Sequence, residues 1–218
     1  MGAKHVILMT PYSPYMRQDS AFNNGEVVSA SYFAELISSH FDYLITVDCH
    51  LHRISSLGEI YNIPTQNISS AMLLADWIKS NVRKPLLVGP DSESKQWVQV
   101  VARHAKASYV VFSKQRYADH LVKLKLQDLS DYKDYTPVLL DDIISTASTM
   151  CEAVKHLKQK IKQLPVCMGI HAVFSPGSYN QLVKTGVSKI VTTNSIPHST
   201  NEIDLTPILL SSIGKINS

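Results

Sequence analysis

The sequence predicts an α/β fold built on parallel sheet, and three observations carry that expectation. Short, nearly unbroken apolar runs alternate with segments whose apolar residues recur at helical spacing. Strands that are apolar at every position suit burial on both faces, the condition of a parallel strand between two layers of helix. Three of the runs end in acids, at Asp48, at Asp91 and at the pair Asp141 and Asp142. In open α/β sheets ligands collect outside the carboxyl ends of the strands.

The elements follow in order. "HVILMT" (5–10) reads as the first strand, and the polar, turn-rich segment 11–28 as a loop. A helix is predicted over 29–40 and a strand over 43–48, "YLITVD". "PTQNISS" (64–70) punctuates the pattern and marks the expected seam between two domains. The next helix, 69–81, is predicted from the apolar face of Met72, Leu73, Trp77 and Ile78. "PLLVGPD" (85–91) is a strand, and Val98, Val101 and Ala102 define a helix over 94–106. "YVVFS" (109–113) and "KLKLQD" (123–128) are strands, the second within a hydrophilic stretch, 115–135, that reads as a hairpin. "PVLLDD" (137–142), "VCMGIHAV" (166–173) and "KIVTTNSI" (189–196) complete the strands, and helices are predicted over 146–162, 177–185 and 206–214.

Composition bounds the function. Of 218 residues 44% are hydrophobic and 18% charged, as in a soluble globular protein, and a formal charge of +3 is too mild to argue for nucleic acid or a membrane surface. Cys49, Cys151 and Cys167 are far apart and form no CxxC pair. That excludes a disulfide framework or zinc site as the simple reading and favours a reducing, cytoplasmic setting. No apolar run reaches the length of a signal-peptide core or a membrane span.

The stretch "PVLLDDIISTASTM" (137–150) carries the most chemistry. A helix start offers unpaired N–H groups and the positive end of a dipole, which together bind phosphate. Ser145, Thr146, Ala147, Ser148 and Thr149 are small enough to let a phosphate reach that backbone, and four of them add hydroxyls. Asp141 and Asp142 cannot bind the same phosphate but can accept hydrogen bonds from a diol. Phosphate donors beside diol acceptors describe a ribose 5-phosphate site. The plainer alternative is a capped helix preceded by solvated acids.

These residues carry a resemblance. "VLLDDIISTAST" resembles the phosphoribosyl pyrophosphate motif shared by type I phosphoribosyltransferases and ribose-phosphate pyrophosphokinases. "PYMRQD" (14–19), "ITVDCHLHR" (45–53), "VGPDSES" (88–94), "FSKQR" (112–116) and "VTTNSIP" (191–197) are similar to pyrophosphokinase segments, in family order. The resemblance implies two phosphoribosyltransferase-like, Rossmann-type parallel-sheet domains, the first incomplete: residues 1–68 as the latter part of the first domain, 69–196 as the second, and 197–218 returning to the first. It implies transfer of the pyrophosphoryl group of ATP to O1 of ribose 5-phosphate, with Mg²⁺ as cofactor, in a homo-oligomer, with no nucleic-acid or membrane partner. It assigns Arg17, Gln18 and Asp19 to ATP, and Asp48, His50 and Asp91 to the metal. It assigns Lys114 and Arg116 to catalysis, Asp141 and Asp142 to the ribose hydroxyls, and residues 145–149 to the 5-phosphate.

The chain departs from the family's pattern at several points. Glu93 and Ser94 stand where the pyrophosphate loop has paired glycines, Ser145 where an acid is usual, and Ser148 where a glycine is usual. A non-glycine residue at 148 is expected to resist the backbone angle required there. The first strand matches one well inside the family's first domain. These departures favour a second reading, a non-catalytic relative that retains the ribose-phosphate pocket; a third, a type I phosphoribosyltransferase, has "PYMRQD" and "VDCHLHR" against it.

Overall fold

The computed structural model describes residues 2–21, 23–118, 121–125 and 128–214, with side chains described outside 114–127. The chain forms two compact units, the first comprising 1–70 and 205–218, the second 71–204.

The first unit contains β1 (Ile7–Met9), α1 (Ser29–His40), β2 (Tyr43–Val47) and β3 (Thr65–Ile68). The strands form one parallel sheet in the order β1-β2-β3, with Leu8 beside Leu44 and Ile45 beside Gln66. α1 buries Ala30, Ala34 and Ile37, spaced four and three apart on one face. They pack with Met16, Leu44, Cys49, Leu57 and Tyr61. β3, "TQNI", is a polar edge strand whose sequence reads as punctuation. It exists because β2 offers its edge, not because of its own apolar pattern.

The second unit is a three-layer α/β/α arrangement. Its six parallel strands are β4 (Pro85–Gly89), β5 (Ser108–Val111), β8 (Thr136–Ile144), β9 (Val166–Ala172), β10 (Lys189–Thr193) and β11 (Asn201–Ile203). They run side by side as β5-β4-β8-β9-β10-β11. On one face α2 (Ala71–Asn81) and α3 (Lys95–Ala105) share a core with Leu87, Val138, Leu140 and Met168. On the other face α4 (Ser148–Lys158) and α5 (Ser178–Lys184) share one with Leu86, Val88, Leu139 and Cys167. Neighbouring strand residues thus feed opposite cores, which is why these strands are apolar at every position.

Between β5 and β8 the chain makes an antiparallel pair, β6 (Ser113–Ala118) with β7 (Leu121–Lys125). After β11 it returns to the first unit as α6 (Thr206–Ile213).

Two features position the site. The chain leaves β4 for β5 on one side and returns to β8 on the other, so β4 and β8 flank the sheet's topological switch point. β8 also runs to Ile144, two residues past the predicted end, so Asp141 and Asp142 are strand residues. Asp141 lies opposite Gly169 of β9, and Ile143 opposite His171. Ile144 folds over Gly169, where an added Cβ would meet its Cγ1 at 2.6 Å.

Candidate active site at the carboxyl ends of β4 and β8

Asp141 and Asp142 stand next to each other near the end of β8, close enough for their carboxyl groups to interact. Each carboxylate accepts the next backbone N–H. Asp141 Oδ1 takes that of Asp142 at 3.1 Å, and Asp142 Oδ1 takes that of Ile143 at 2.8 Å. Burial, and then the neighbouring carboxylates of Asp142 and Asp91, push the Asp141 carboxyl well above the usual carboxylate range. Two acids of β8 and one from the loop after β4 therefore converge at the switch point with too little compensation among themselves. Hydroxyls or a cation arriving there would relieve that strain.

The turn after β8 leads straight into α4. Ala147 takes φ +58 in the left-handed region, and its carbonyl accepts the first helical bond from Cys151 N–H at 2.8 Å. Ser148 is the first residue of α4 and is helical. The angle expected to be difficult at Ser148 thus falls one residue earlier, on the smallest residue that carries a Cβ. The residue preceding α4 offers no side-chain cap, and the first helical N–H, that of Ser148, makes only a long 3.5 Å bond to Thr146 Oγ1, so this helix start suits an anion. Ser175, in the turn after β9, braces this loop: its N–H and Oγ both donate to Ser145 C=O, at 3.2 and 3.4 Å. Nothing local in the sequence marks Ser175, which lies thirty residues from its partner. The same holds for buried His171, whose Nδ1 pairs with Ser195 Oγ at 2.9 Å.

The loop after β4 is closed on itself. Asp91 Oδ1 accepts the N–H groups of Glu93 and Ser94, both at 3.1 Å, and Ser94 Oγ donates to Asp91 C=O at 2.6 Å. Ser94 is 1% exposed and sits against Gly89, where an added Cβ would meet its Oγ at 2.5 Å. Glu93, the anionic residue in the expected pyrophosphate loop, is exposed.

The remaining candidates apart from Lys114 and Arg116 belong to the first unit. Asp48 ends β2 with φ +37, and its buried Oδ2 accepts from Ser70 N–H at 2.7 Å and from Ser70 Oγ. His50 is half-buried, its ring 6.4 Å from that of His52. Arg17 is exposed. Gln18 is tied to the start of α1: its Nε2 donates to Val27 C=O at 3.2 Å, and its Oε1 accepts from Ser29 Oγ. Asp19 accepts from Arg53 at both N–H (3.1 Å) and Nη1 (2.6 Å). Burial opposes the Asp19 charge, but the bonds and charge of Arg53 outweigh it and hold the carboxyl below its ordinary range. Gln18 and Asp19 thus shape the loop that presents Arg17. Lys114 and Arg116 lie on β6, and their side chains fall outside the described residues.

Among the described residues no group of three or more His, Cys, Asp or Glu side chains forms a metal cage. The carboxylate oxygens of Asp91 are donors of the kind that suits an ion such as Mg²⁺, which keeps several waters and is held by one or two carboxylates plus substrate phosphates. Among the same residues no helix is long and apolar enough to cross a membrane.

Comparison with known proteins agrees with this fold. Residues 56–206 match the model of the phosphoribosyl transferase domain. The ribose-phosphate pyrophosphokinase of Methanobrevibacter smithii is 31% identical, with 94% of this chain and 72% of that protein covered. That of Methanopyrus kandleri is 30% identical, with 94% and 70% covered. The crystal structure of phosphoribosylpyrophosphate synthetase from Mycobacterium smegmatis superposes with a TM-score of 0.84 over 98% of this chain and 72% of that one. At 22% identity it speaks for the fold. With the domain matched over most of its length and those relatives alike along nearly all of it, the chain belongs to the ribose-phosphate pyrophosphokinase family of enzymes.

Proposed function

We propose that the chain transfers the β,γ-pyrophosphoryl group of ATP to O1 of ribose 5-phosphate, giving 5-phosphoribosyl 1-pyrophosphate and AMP. The observation that carries this reading is the meeting of Asp91, Asp141 and Asp142 at the switch point with the uncapped start of α4. The acids suit a sugar diol and a metal-bound polyphosphate, and the helix start suits a monophosphate.

In this reading the N–H groups of the 145–149 turn and α4 hold the 5-phosphate, and Asp141 and Asp142 accept hydrogen bonds from the O2 and O3 hydroxyls. That fixes the sugar, so O1 meets the β-phosphorus in a defined geometry. Arg17 contacts ATP by its planar fork, with Gln18 and Asp19 setting the loop behind it. Asp91, Asp48 and His50 are the residues that would hold Mg²⁺, an ion that prefers oxygen donors. Bound with ATP, the ion would neutralise charge on the polyphosphate. Lys114 and Arg116 would stabilise charge that builds on the transferred group. The protein acts as a homo-oligomer in the cytoplasm.

The test is a ³¹P NMR time course of the chain with ATP, Mg²⁺ and ribose 5-phosphate. Resonances of AMP and 5-phosphoribosyl 1-pyrophosphate are expected. Unchanged ATP with a shifted ribose 5-phosphate line would overturn the reaction and leave a non-catalytic sugar-phosphate binder, the reading favoured by the self-closed 91–94 loop.

A further inference from the structure

At the opposite end of the six-stranded sheet, the segments that enter β4, β8 and β9 frame a cleft of about 410 Å³, lined by Arg83, Lys84, Asp134, Thr136 and Gln163. The residues of β4 separate this cleft from the Asp91 loop by about 17 Å, at roughly 3.3 Å per residue. It is therefore distinct from the candidate active site.

The cleft is a built feature. Thr136 stitches two of its walls together: its N–H donates to Lys84 C=O at 2.9 Å and its Oγ1 to Arg83 C=O at 3.0 Å. The third wall joins through Lys162, whose N–H donates to Lys133 C=O at 3.3 Å and whose Nζ stands 3.5 Å from Asp134 Oδ1. Lys84 holds a left-handed backbone, φ +46, a conformation costing a side-chain-bearing residue on the order of 1 kcal/mol. Strain of this kind gathers where a ligand is held.

The charge in the cleft is unbalanced. Its one carboxylate, Asp134, already faces Lys162. Arg83 and Lys84 form no ion pair with any described residue. Two uncompensated cations on a concave surface, one of them a planar fork suited to phosphate, form an anion site. The volume exceeds that of a lone phosphate and matches a phosphorylated small molecule, whose remaining hydroxyl or amide groups Gln163 and Asp134 can meet.

We propose that this amino-end cleft is a second binding site for a small phosphate-bearing molecule, recognised by Arg83 and Lys84. The inference does not depend on the reaction proposed above.

The experiment is an amide NMR titration of the full chain at ~0.15 M salt, where exposed charges are largely screened, using inorganic phosphate and AMP as separate probes. Saturable shifts at Lys84, Thr136 and Gln163 are expected. In the Arg83→Gln, Lys84→Gln double variant these should weaken about tenfold or more, while shifts at Thr146 to Thr149 persist. Both replaced side chains are exposed, so the variant should melt with its parent. Tighter saturation with AMP would make the ligand a nucleotide, and tighter saturation with phosphate would make it the free anion. Linear, unsaturable shifts with both probes, or shifts unchanged in the double variant, would overturn the proposal.

Discussion

Asp91 and Ser94 hold each other three times: Ser94 N–H donates to Asp91 Oδ1 at 3.1 Å, and Ser94 Oγ donates to Asp91 C=O at 2.6 Å and accepts from Asp91 N–H at 3.4 Å. The loop between β4 and α3 is therefore organised by its own aspartate. The backbone N–H groups of residues 93 and 94 are spent on that carboxylate, and Glu93 is exposed.

That arrangement separates the structural from the chemical role of Asp91. Asp91→Asn keeps an oxygen in the Oδ1 position and should unfold within about 0.5 kcal/mol of the parent. Asp91→Ala removes the acceptor and should cost about 1–2 kcal/mol. Both should lose turnover in the ³¹P assay if Asp91 serves the metal. Parental turnover in Asp91→Asn would confine it to bracing the loop.

Asp141 should trade stability for affinity. Its carboxyl titrates above the ordinary range in the folded chain because it is buried and faces Asp142 and Asp91. The folded state thus holds the proton to higher pH than the unfolded state does. Stability is full below the ordinary aspartate range, and it is lost as pH rises through the folded-state value. Asp141→Asn carries no charge, so it should melt higher than the parent at neutral pH, with the gap closing near pH 4 and below. Ribose 5-phosphate affinity should fall in the same variant. Thermal melts across pH with calorimetry would read both, and a lower melting temperature at pH 7 would refute the burial argument.

Ala147 offers a test of the loop's conformation. Its left-handed angle costs a Cβ-bearing residue about 1 kcal/mol, which glycine avoids while loosening the unfolded chain. Ala147→Gly should match or exceed the parent's stability by up to ~1 kcal/mol and still bind ribose 5-phosphate. Ala147→Val, β-branched at the same angle, should lose about 1–2 kcal/mol and bind the sugar phosphate more weakly. Equal stability of the two variants would show that the turn does not need this angle.

Lys114→Ala should cut turnover by about 10²–10³-fold, as loss of one group aimed at developing charge does, with ribose 5-phosphate affinity unchanged. A variant as fast as its parent would remove Lys114 from the mechanism.

The amino-acid sequence by itself determined the α/β class and the placing of the helices. It also showed that acids stand at the ends of buried strands. These follow from local patterns: helical spacing in α2 and α3, unbroken apolar runs in β4 and β9, and a carboxylate that cannot continue a core. Tertiary structure alone decided the rest. β3 and β11 are short polar strands that form only because a neighbour offers a free edge. Partners distant in the chain drew Asp19 to Arg53 and Ser145 to Ser175. Strand pairing with β9 carried β8 beyond Asp142, and helix geometry moved the strained position from Ser148 to Ala147. In each case the deciding group lies across space from the residue it governs, where no periodicity along the chain can point to it.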